Sequence, residues 1–593
     1  MITPDNFNIF VIPFTLGMTF VIIWLLATIV RLWRHMPQAD RRRVRHSILT
    51  VSTLRAAGEI VAEVLIHRRI WKRNKFLGYM HMSFAFGWFM LIVVGKFESL
   101  TYTGNHFNPI WYPLFFKFFV PGEHEFFLSA FFTQAMDLWL ALILSGQILA
   151  FVKRRMPGRT IGIRPRHTAV NRAALTALWF IFPLRLAAES VTAGIHGGGG
   201  FLTGTIGQAL AGAPVLDSLF MPLWWAYSIS LGVFFVLIPF SRYFHIPVEG
   251  FLILARHWGV SDEATIRTFE TLACSACGMC LRVCPRAQGD APRMQPVYFI
   301  ERLRAGRDND NDVWGCLGCL RCEEVCPVVV HSTQIRMARK MQAVPQRRPQ
   351  PAPAPVPQAR QGVDVALFAG CMGKLTPGTK AAMNRILQAA GLAYAWVDED
   401  EDLCCGRPLR LSGRTGEAQA RMDRLKTALL ALNPRVIVST CPICYNMIRA
   451  AVSARPVLHH TDFVAQLIDE GRIAVGRSAQ TLTYHDPCEL SRMADISSRP
   501  VSTLAKVGTL KQPDECGRES HCCGGALGGL AVAGHERTRL MTATADYLQR
   551  PGAQTIVTAC PLCKKSIAQH ASTPVVDFAE AIAKSLKTSS INQ

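Results

Sequence analysis

The stretch VIVSTCPICYNMI, residues 436–448, runs from a β-branched apolar segment through Cys441 and Pro442 into residues with a helical pattern. A strand that ends at a cysteine and passes into a helix is one crossing of an α/β sheet. TIVTACPLCKKSI at 555–567 reads the same way. The first helical N–H groups behind Cys441 and Cys560 can donate to whatever those sulfurs bind.

Outward from these segments the chain repeats itself. VDVALFAGC (363–371) corresponds to QTLTYHDPC (480–488), and PVLHHTDFVAQLI (456–468) to TPVVDFAEAIAKSL (573–586). Helical stretches such as TGEAQARMDRLKTALLAL and GHERTRLMTATADYLQ separate the β-rich runs, so two duplicated α/β lobes are expected. A period near 118 residues is a domain duplication, too long for a solenoid.

Five cysteines occupy matching positions in each lobe: Cys371, Cys404, Cys405, Cys441 and Cys444, then Cys488, Cys522, Cys523, Cys560 and Cys563. Five exceed the need of a tetrahedral zinc. Adjacent thiolates also chelate one metal poorly, because the peptide link constrains their directions. Such sets suit a polynuclear cluster in which each sulfur approaches a different iron. The glycine behind each pair, Gly406 or Gly524, allows close backbone approach or positive φ. Cys516 falls outside the pattern and reads as a bystander.

Eight further cysteines precede the lobes. CSACGMCLRVCP holds Cys274, Cys277, Cys280 and Cys284, and CLGCLRCEEVCP holds Cys316, Cys319, Cys322 and Cys326. Both follow C-x2-C-x2-C-x3-C-P, in which three thiolates serve one [4Fe-4S] cube and the fourth crosses to its neighbour. Cys274, Cys277, Cys280 and Cys326 form one expected set, and Cys316, Cys319, Cys322 and Cys284 the other. Zinc sites have no use for the doubled, proline-terminated run. Residues 343–361, AVPQRRPQPAPAPVPQARQ, read as a semi-rigid spacer between folded units.

The first 273 residues contain no cysteine. They carry apolar runs at 8–33, 77–97, 127–152, 173–195 and 218–240, of the length a bilayer core requires. No basic leader or small-residue cleavage site accompanies the first, so a cleaved signal peptide is not expected. Residues 34–75 hold 11 Lys/Arg against three acids, and 153–172 hold seven against none; Lys117 is the one basic residue of 98–126 and 196–217. That excess predicts a multi-pass protein of the inner, cytoplasmic membrane with its cysteine region on the cytoplasmic side. In that reducing compartment the spacings favour metal over disulfides. Both basic loops together explain most of the net charge of +22, so no nucleic-acid partner is expected.

A low-spin b haem needs two imidazoles from facing helices at one depth. His81, His245 and His67 lie towards the cytoplasmic side and are the ligand candidates; His196, on the outer side, is a weaker one. Asp137, Arg185 and Glu189 are intramembrane charges, read as quinone, propionate or proton contacts, with an Asp137–Arg185 pair as the structural alternative. GGGGFLTG at 197–204 has no preceding strand, so it reads as a flexible connection rather than a phosphate loop.

The paired five-cysteine units resemble the CCG domains of the heterodisulfide reductase catalytic subunit and its relatives, over residues 363–586. That resemblance implies an open, noncubane [4Fe-4S] cluster in each set, able to act at a disulfide, which gives the ten cysteines a catalytic role. With the dicluster segment, the region resembles the D-type heterodisulfide reductase subunit, the C subunit of anaerobic glycerol-3-phosphate dehydrogenase and the glycolate oxidase iron–sulfur subunit. Residues 8–245 resemble the cytochrome b subunit of respiratory nitrate reductase and the membrane subunit of heterodisulfide reductase. Two-haem relatives carry a second histidine 18 residues before the one matched by His245. Tyr227 stands there, which implies one haem b rather than two. The single-chain fusion is similar to electron-transfer flavoprotein:quinone oxidoreductases of this class.

The expected fold is a membrane α-helical bundle of five transmembrane helices (1–250), a mostly helical two-cluster ferredoxin domain (251–342), the spacer (343–361) and two duplicated α/β CCG domains (362–475 and 476–593). The expected function is quinone-linked iron–sulfur oxidoreduction in a respiratory chain, passing electrons between a soluble cytoplasmic partner, electron-transfer flavoprotein, and the quinone or menaquinone pool. A quinol-dependent heterodisulfide or disulfide reductase is one alternative, and a non-catalytic relay and docking subunit another. Nothing resembles a flavin or nicotinamide fold, which assigns primary dehydrogenation to a partner.

Overall fold

The structure is a computed structural model that describes residues 6–104, 108–122, 124–155, 167–288, 294–344, 362–399, 403–525 and 527–587. From residue 345 the expected spacer lies outside the described residues. The chain divides into two compact units: Met1–Gly278 with Pro327–Val330, and Met279–Cys326 with His331–Gln593.

The first unit contains five helices long and apolar enough to cross a membrane: Ile9–His35, Lys75–Thr103, Ser129–Lys153, Ala169–His196 and Leu216–Phe240, here spans one to five. They coincide with the five apolar runs. Spans one and five cross at glycines, where a Cβ on Gly17 would lie 2.5 Å from the Gly232 carbonyl oxygen. Close backbone approach of that kind substitutes for the hydrophobic drive that lipid does not supply.

The basic stretch 34–75 is helical rather than an open loop, forming Gln38–Ser47, Val51–Ile60, a π-helical turn at Val61–Leu65 and Arg68–Arg73. It packs as a collar against helix His245–His257, which follows span five. The three acids among its many bases hold it there. Asp40 accepts from the N–H groups of Ser261 and Asp262 at 3.0 and 2.7 Å, and Glu59 meets His257 Nε2 at 2.8 Å. Buried Glu63 accepts from Arg68 Nε and the Arg69 N–H.

Two expectations are corrected here. GGGGFLTG is not a flexible connection, since it leads into helix Thr203–Leu210, whose first N–H groups are capped from span three. Leu202 and Thr203 N–H each donate to Asp137 Oδ2 at 2.8 Å, and Thr203 Oγ1 donates to Asp137 Oδ1 at 2.9 Å. Asp137 is thereby satisfied, and no Asp137–Arg185 pair forms. Arg185 Nε donates instead to Glu189 Oε1 at 2.9 Å, one turn along its own helix.

In the second unit each lobe is a four-stranded parallel sheet. The first has β1 (Val365–Phe368), β2 (Tyr394–Trp396), β3 (Val436–Ser439) and β4 (Val457–His459) in the order 2-1-3-4. The second has β5 (Thr481–His485), β6 (Thr509–Leu510), β7 (Thr555–Thr558) and β8 (Val575–Asp577) in the order 6-5-7-8. The shared order bears out the duplication. One core joins the lobes, in which Met383, Leu387 and Val464 pack with Tyr484, Phe578 and Ile582.

Candidate iron–sulfur and membrane redox sites

All ten lobe cysteines sit beyond the carboxyl ends of parallel strands, where ligands bind in open α/β sheets. Cys371 follows β1, the pair Cys404–Cys405 follows β2, and Cys441 follows β3; Cys488, Cys522–Cys523 and Cys560 repeat this after β5, β6 and β7. Cys441 is the N-cap of helix Pro442–Ala451 and Cys560 that of Pro561–Ala568. Ile443 and Cys444 N–H donate to Cys441 sulfur, the helix-terminus contact expected from the sequence. Gly406 and Gly524 have φ of 75° and 74°. At Gly406 a Cβ would stand 2.5 Å from the Ala418 carbonyl oxygen, so the turn after the first pair admits no side chain.

Sulfur contacts then connect one set to the next. Within lobe one, Cys404 bonds Cys371 and Cys405, and Cys444 bonds Cys405 at 3.4 Å. Cys441 bonds Cys444 and, across the lobe boundary, Cys560. In lobe two Cys560 bonds Cys563, Cys563 bonds Cys523, and Cys522 bonds Cys523, Cys488 and Cys319. Cys319 belongs to the second ferredoxin-type run. The ten lobe thiols and one thiol of that run therefore form an unbroken series.

The second run also gathers its predicted fourth member. Cys284 lies within electrostatic reach of Cys319 and Cys316, and Cys322 of both as well. Burial pushes the Cys284 thiol up to about 12 and raises Cys322 too. Bare thiolates are disfavoured at such positions, and bound iron cations would reverse that balance. Cys319 runs the other way, lowered to about 6 chiefly by the hydrogen bond from Cys522 and then by the Arg492 guanidinium. The other predicted set is divided between the units, with Cys274 and Cys277 in the first and Cys280 and Cys326 in the second. Cys516 is exposed and takes no part in the series.

Polar anchors that the motifs did not reveal hold these loops. Buried Arg492 donates from Nε to the Cys319 carbonyl at 2.8 Å and from Nη1 to the Arg518 and Ser520 carbonyls at 2.7 and 3.0 Å. Arg407, next to the first glycine turn, pairs with Glu489 of lobe two at 2.8 Å. Arg286 pairs with Glu536 at 3.0 Å, both nearly buried. Each anchor joins segments far apart in the chain, so only its charge was visible in advance.

In the first unit His67 and His81 face each other with ring centres 5.5 Å apart and planes 28° from parallel. His245 lies within electrostatic reach of His81. His67 has φ of 59°, strained for a non-glycine residue, and follows the π-helical turn. Its Nδ1 lies 3.3 Å from the Leu65 carbonyl, and His245 Nδ1 lies 2.6 Å from that of Arg242. Carbonyl contacts at Nδ1 leave Nε2 for a metal. Metal–nitrogen bonds of about 2 Å would set two axial rings about 6 Å apart, so the His67–His81 spacing fits an axial pair. Burial lowers the His67 pKa, favouring the neutral imidazole that such ligation needs. Glu98 stands 17 residues beyond His81 in span two, about 25 Å along the helix axis. Arg185 and Glu189 share a cavity with Glu98, too far to meet the propionates of a haem at His81.

Comparison with known proteins agrees with this geometry. The chain matches the cysteine-rich CCG domain twice, at residues 365–449 and 482–568, and the 4Fe-4S dicluster domain at 270–330. It is an iron–sulfur oxidoreductase of the heterodisulfide-reductase-like CCG family. Among curated relatives, the D-type subunit of the dihydromethanophenazine:CoB–CoM heterodisulfide reductase of Methanosarcina barkeri is 25% identical, covering 54% of this chain and 95% of its own length. The EtfAB:quinone oxidoreductase of Syntrophomonas wolfei is 21% identical over 90% of this chain and 93% of its own. A probable membrane-anchored ferredoxin of Chromohalobacter salexigens is 23% identical over 53% and 59%. The CCG relationship thus extends over the cysteine-rich half, and the Syntrophomonas relative aligns with the span-bearing region as well.

Proposed function

We propose that the chain accepts electrons from a reduced electron-transfer flavoprotein at the CCG lobes and delivers them to membrane quinone. The observation that carries this reading is the graded burial of the thiol series. Cys371 is exposed and Cys404 partly so, whereas Cys441, Cys444, Cys522, Cys523, Cys560 and Cys563 are all buried. Lobe one thus presents the solvent end of the series and Cys319 its interior end. The similarity to EtfAB:quinone oxidoreductase across 90% of the chain supports both the donor and the acceptor.

The residues fit the groups the reading requires. Cys371, Cys404, Cys405, Cys441 and Cys444 would hold one noncubane cluster and Cys488, Cys522, Cys523, Cys560 and Cys563 the other. Cys316, Cys319, Cys322 and Cys284 would hold one cubane, and Cys274, Cys277, Cys280 and Cys326 the second. His81 with His67 or His245 would hold a single haem b. These groups supply one-electron carriers. The protein's part is to bury their ligands, to aim backbone N–H groups at the sulfurs, and to fix the loops through Arg407, Arg492 and Arg286. The basic collar belongs on the cytoplasmic face, and the cysteine-rich unit then shares a compartment with a soluble flavoprotein.

Purified full-length protein, given reduced flavoprotein and a water-soluble quinone analogue, should reduce the quinone, and Cys405→Ala or Cys523→Ala should abolish it. Unchanged turnover in both variants would remove the lobes from the path. Disulfide-driven oxidation of the reduced protein would favour the reductase instead. Inactivity with every soluble donor would leave a relay and docking subunit.

A further inference from the structure

At the end of the bundle away from His67, His81 and His245, five ionisable side chains surround one small cavity. Glu98 of span two, Lys117 of the short helix Phe116–Phe119, Asp137 of span three, and Arg185 and Glu189 of span four line it. Tyr227 of span five faces the same group through a hydrogen bond with Arg185. The cavity has room for about one water molecule and none for a quinone ring.

Three carboxyls face two cations. Fully ionised, the site would keep one uncompensated negative charge in an apolar bundle, which is costly. Two carboxylates are matched: Asp137 by the capped helix terminus, and Glu189 by Arg185 at 2.9 Å. Glu98 is the third. It is 1% exposed, and neither of its oxygens accepts a well-formed hydrogen bond. Its nearest cation, Lys117 Nζ, stands 3.4 Å away and also donates to Thr133 Oγ1 at 3.2 Å. The Lys117 side chain is 21% exposed, so it links the cavity to the surface.

We propose that Glu98 is a proton-exchanging carboxyl, which binds one proton when an electron enters the membrane unit and releases it when that electron leaves. This rests on the reading that electrons from the iron–sulfur centres pass through the membrane unit to quinone. The electron adds one negative charge to the bundle. A proton delivered by cavity water at the Lys117 end converts the Glu98 carboxylate to the acid and restores the charge. Passage of the electron to quinone reverses the step.

The test is redox-difference infrared spectroscopy of the full-length protein in lipid nanodiscs, reduced electrochemically in H2O and D2O. Reduction should generate a protonated-carboxyl C=O band that downshifts in D2O, moves on 13C-glutamate labelling, and is absent from Glu98→Gln. No such band, a band indifferent to the glutamate label, or one retained in the variant would overturn the proposal. Labelled wild-type protein decides the matter even if the variant does not accumulate. Because electrodes replace both flavoprotein and quinone, a chain that shows the band without reducing quinone refutes the functional reading and leaves the proton site standing.

Discussion

Arg492→Met would remove the charge that joins the ferredoxin-type run to lobe two while keeping most of the side-chain volume. The guanidinium makes three hydrogen bonds of 2.7–3.0 Å to carbonyls of Cys319, Arg518 and Ser520, and a fourth to Ser520 Oγ at 3.2 Å. Hydrogen bonds to charged groups contribute about 1.5–3 kcal/mol each, and a buried carbonyl left unmatched costs about 1–3 kcal/mol. The four share one donor group and do not add. A loss of about 3–5 kcal/mol follows, comparable to breaking a buried ion pair. In a unit of this size that corresponds to a fall in Tm of roughly 10 °C. Cys319 and Cys522 would lose their common anchor. Iron and acid-labile sulfide per chain, measured after anaerobic purification, should therefore drop by about one or two clusters' worth, or about four to eight irons of an expected sixteen. Full iron content together with an unchanged Tm would refute the assignment of Arg492 as the anchor.

Three further outcomes follow from particular residues. His81→Met should abolish the b-type absorbance of the purified protein and leave its iron–sulfur spectrum intact; a retained haem band would move the ligation elsewhere. Gly406→Ala sets a side chain at φ 75° and 2.5 Å from the Ala418 oxygen, so a loss of at least about 1–2 kcal/mol is expected, read as a lowered Tm with reduced iron content. Glu249, buried in the helix after span five, has its carboxyl pushed up to about 8 by burial. A raised acid pKa means that the folded state binds the proton more tightly, so stability is full below the ordinary value of 4.5 and falls as pH rises to about 8. Detergent-solubilised protein should lose Tm across that window, by no more than about 5 kcal/mol, and Glu249→Gln should flatten the profile.

Much of this arrangement was legible because it is local. Cys441 and Cys560 each combine a β-branched run, a cysteine and a proline in seven residues, and both became strand, N-cap and helix. Gly406 and Gly524 showed their φ requirement by position alone. The five spans needed only length and hydropathy. Tertiary partners were the part that could not be read. Asp137 was set against Arg185 because both are intramembrane charges, yet its partners are N–H groups 65 residues away, which carry no sequence signal. The collar was hidden by its own arginines, since Asp40, Glu59 and Glu63 gain meaning only beside Ser261, His257 and Arg68. The junctions of Cys441 with Cys560 and of Cys319 with Cys522 arise from folding alone, as does the isolation of Glu98.

The central claim is that electrons enter at the lobes and cross the thiol series to the membrane unit. Anaerobic rapid mixing of reduced electron-transfer flavoprotein with the full-length protein, followed at the haem absorbance, tests it in a single turnover. Wild-type protein should show haem reduction, and Cys560→Ala, which breaks the junction between the lobes, should retain the haem but fail to reduce it. Haem reduction at the wild-type rate in Cys560→Ala would contradict the account.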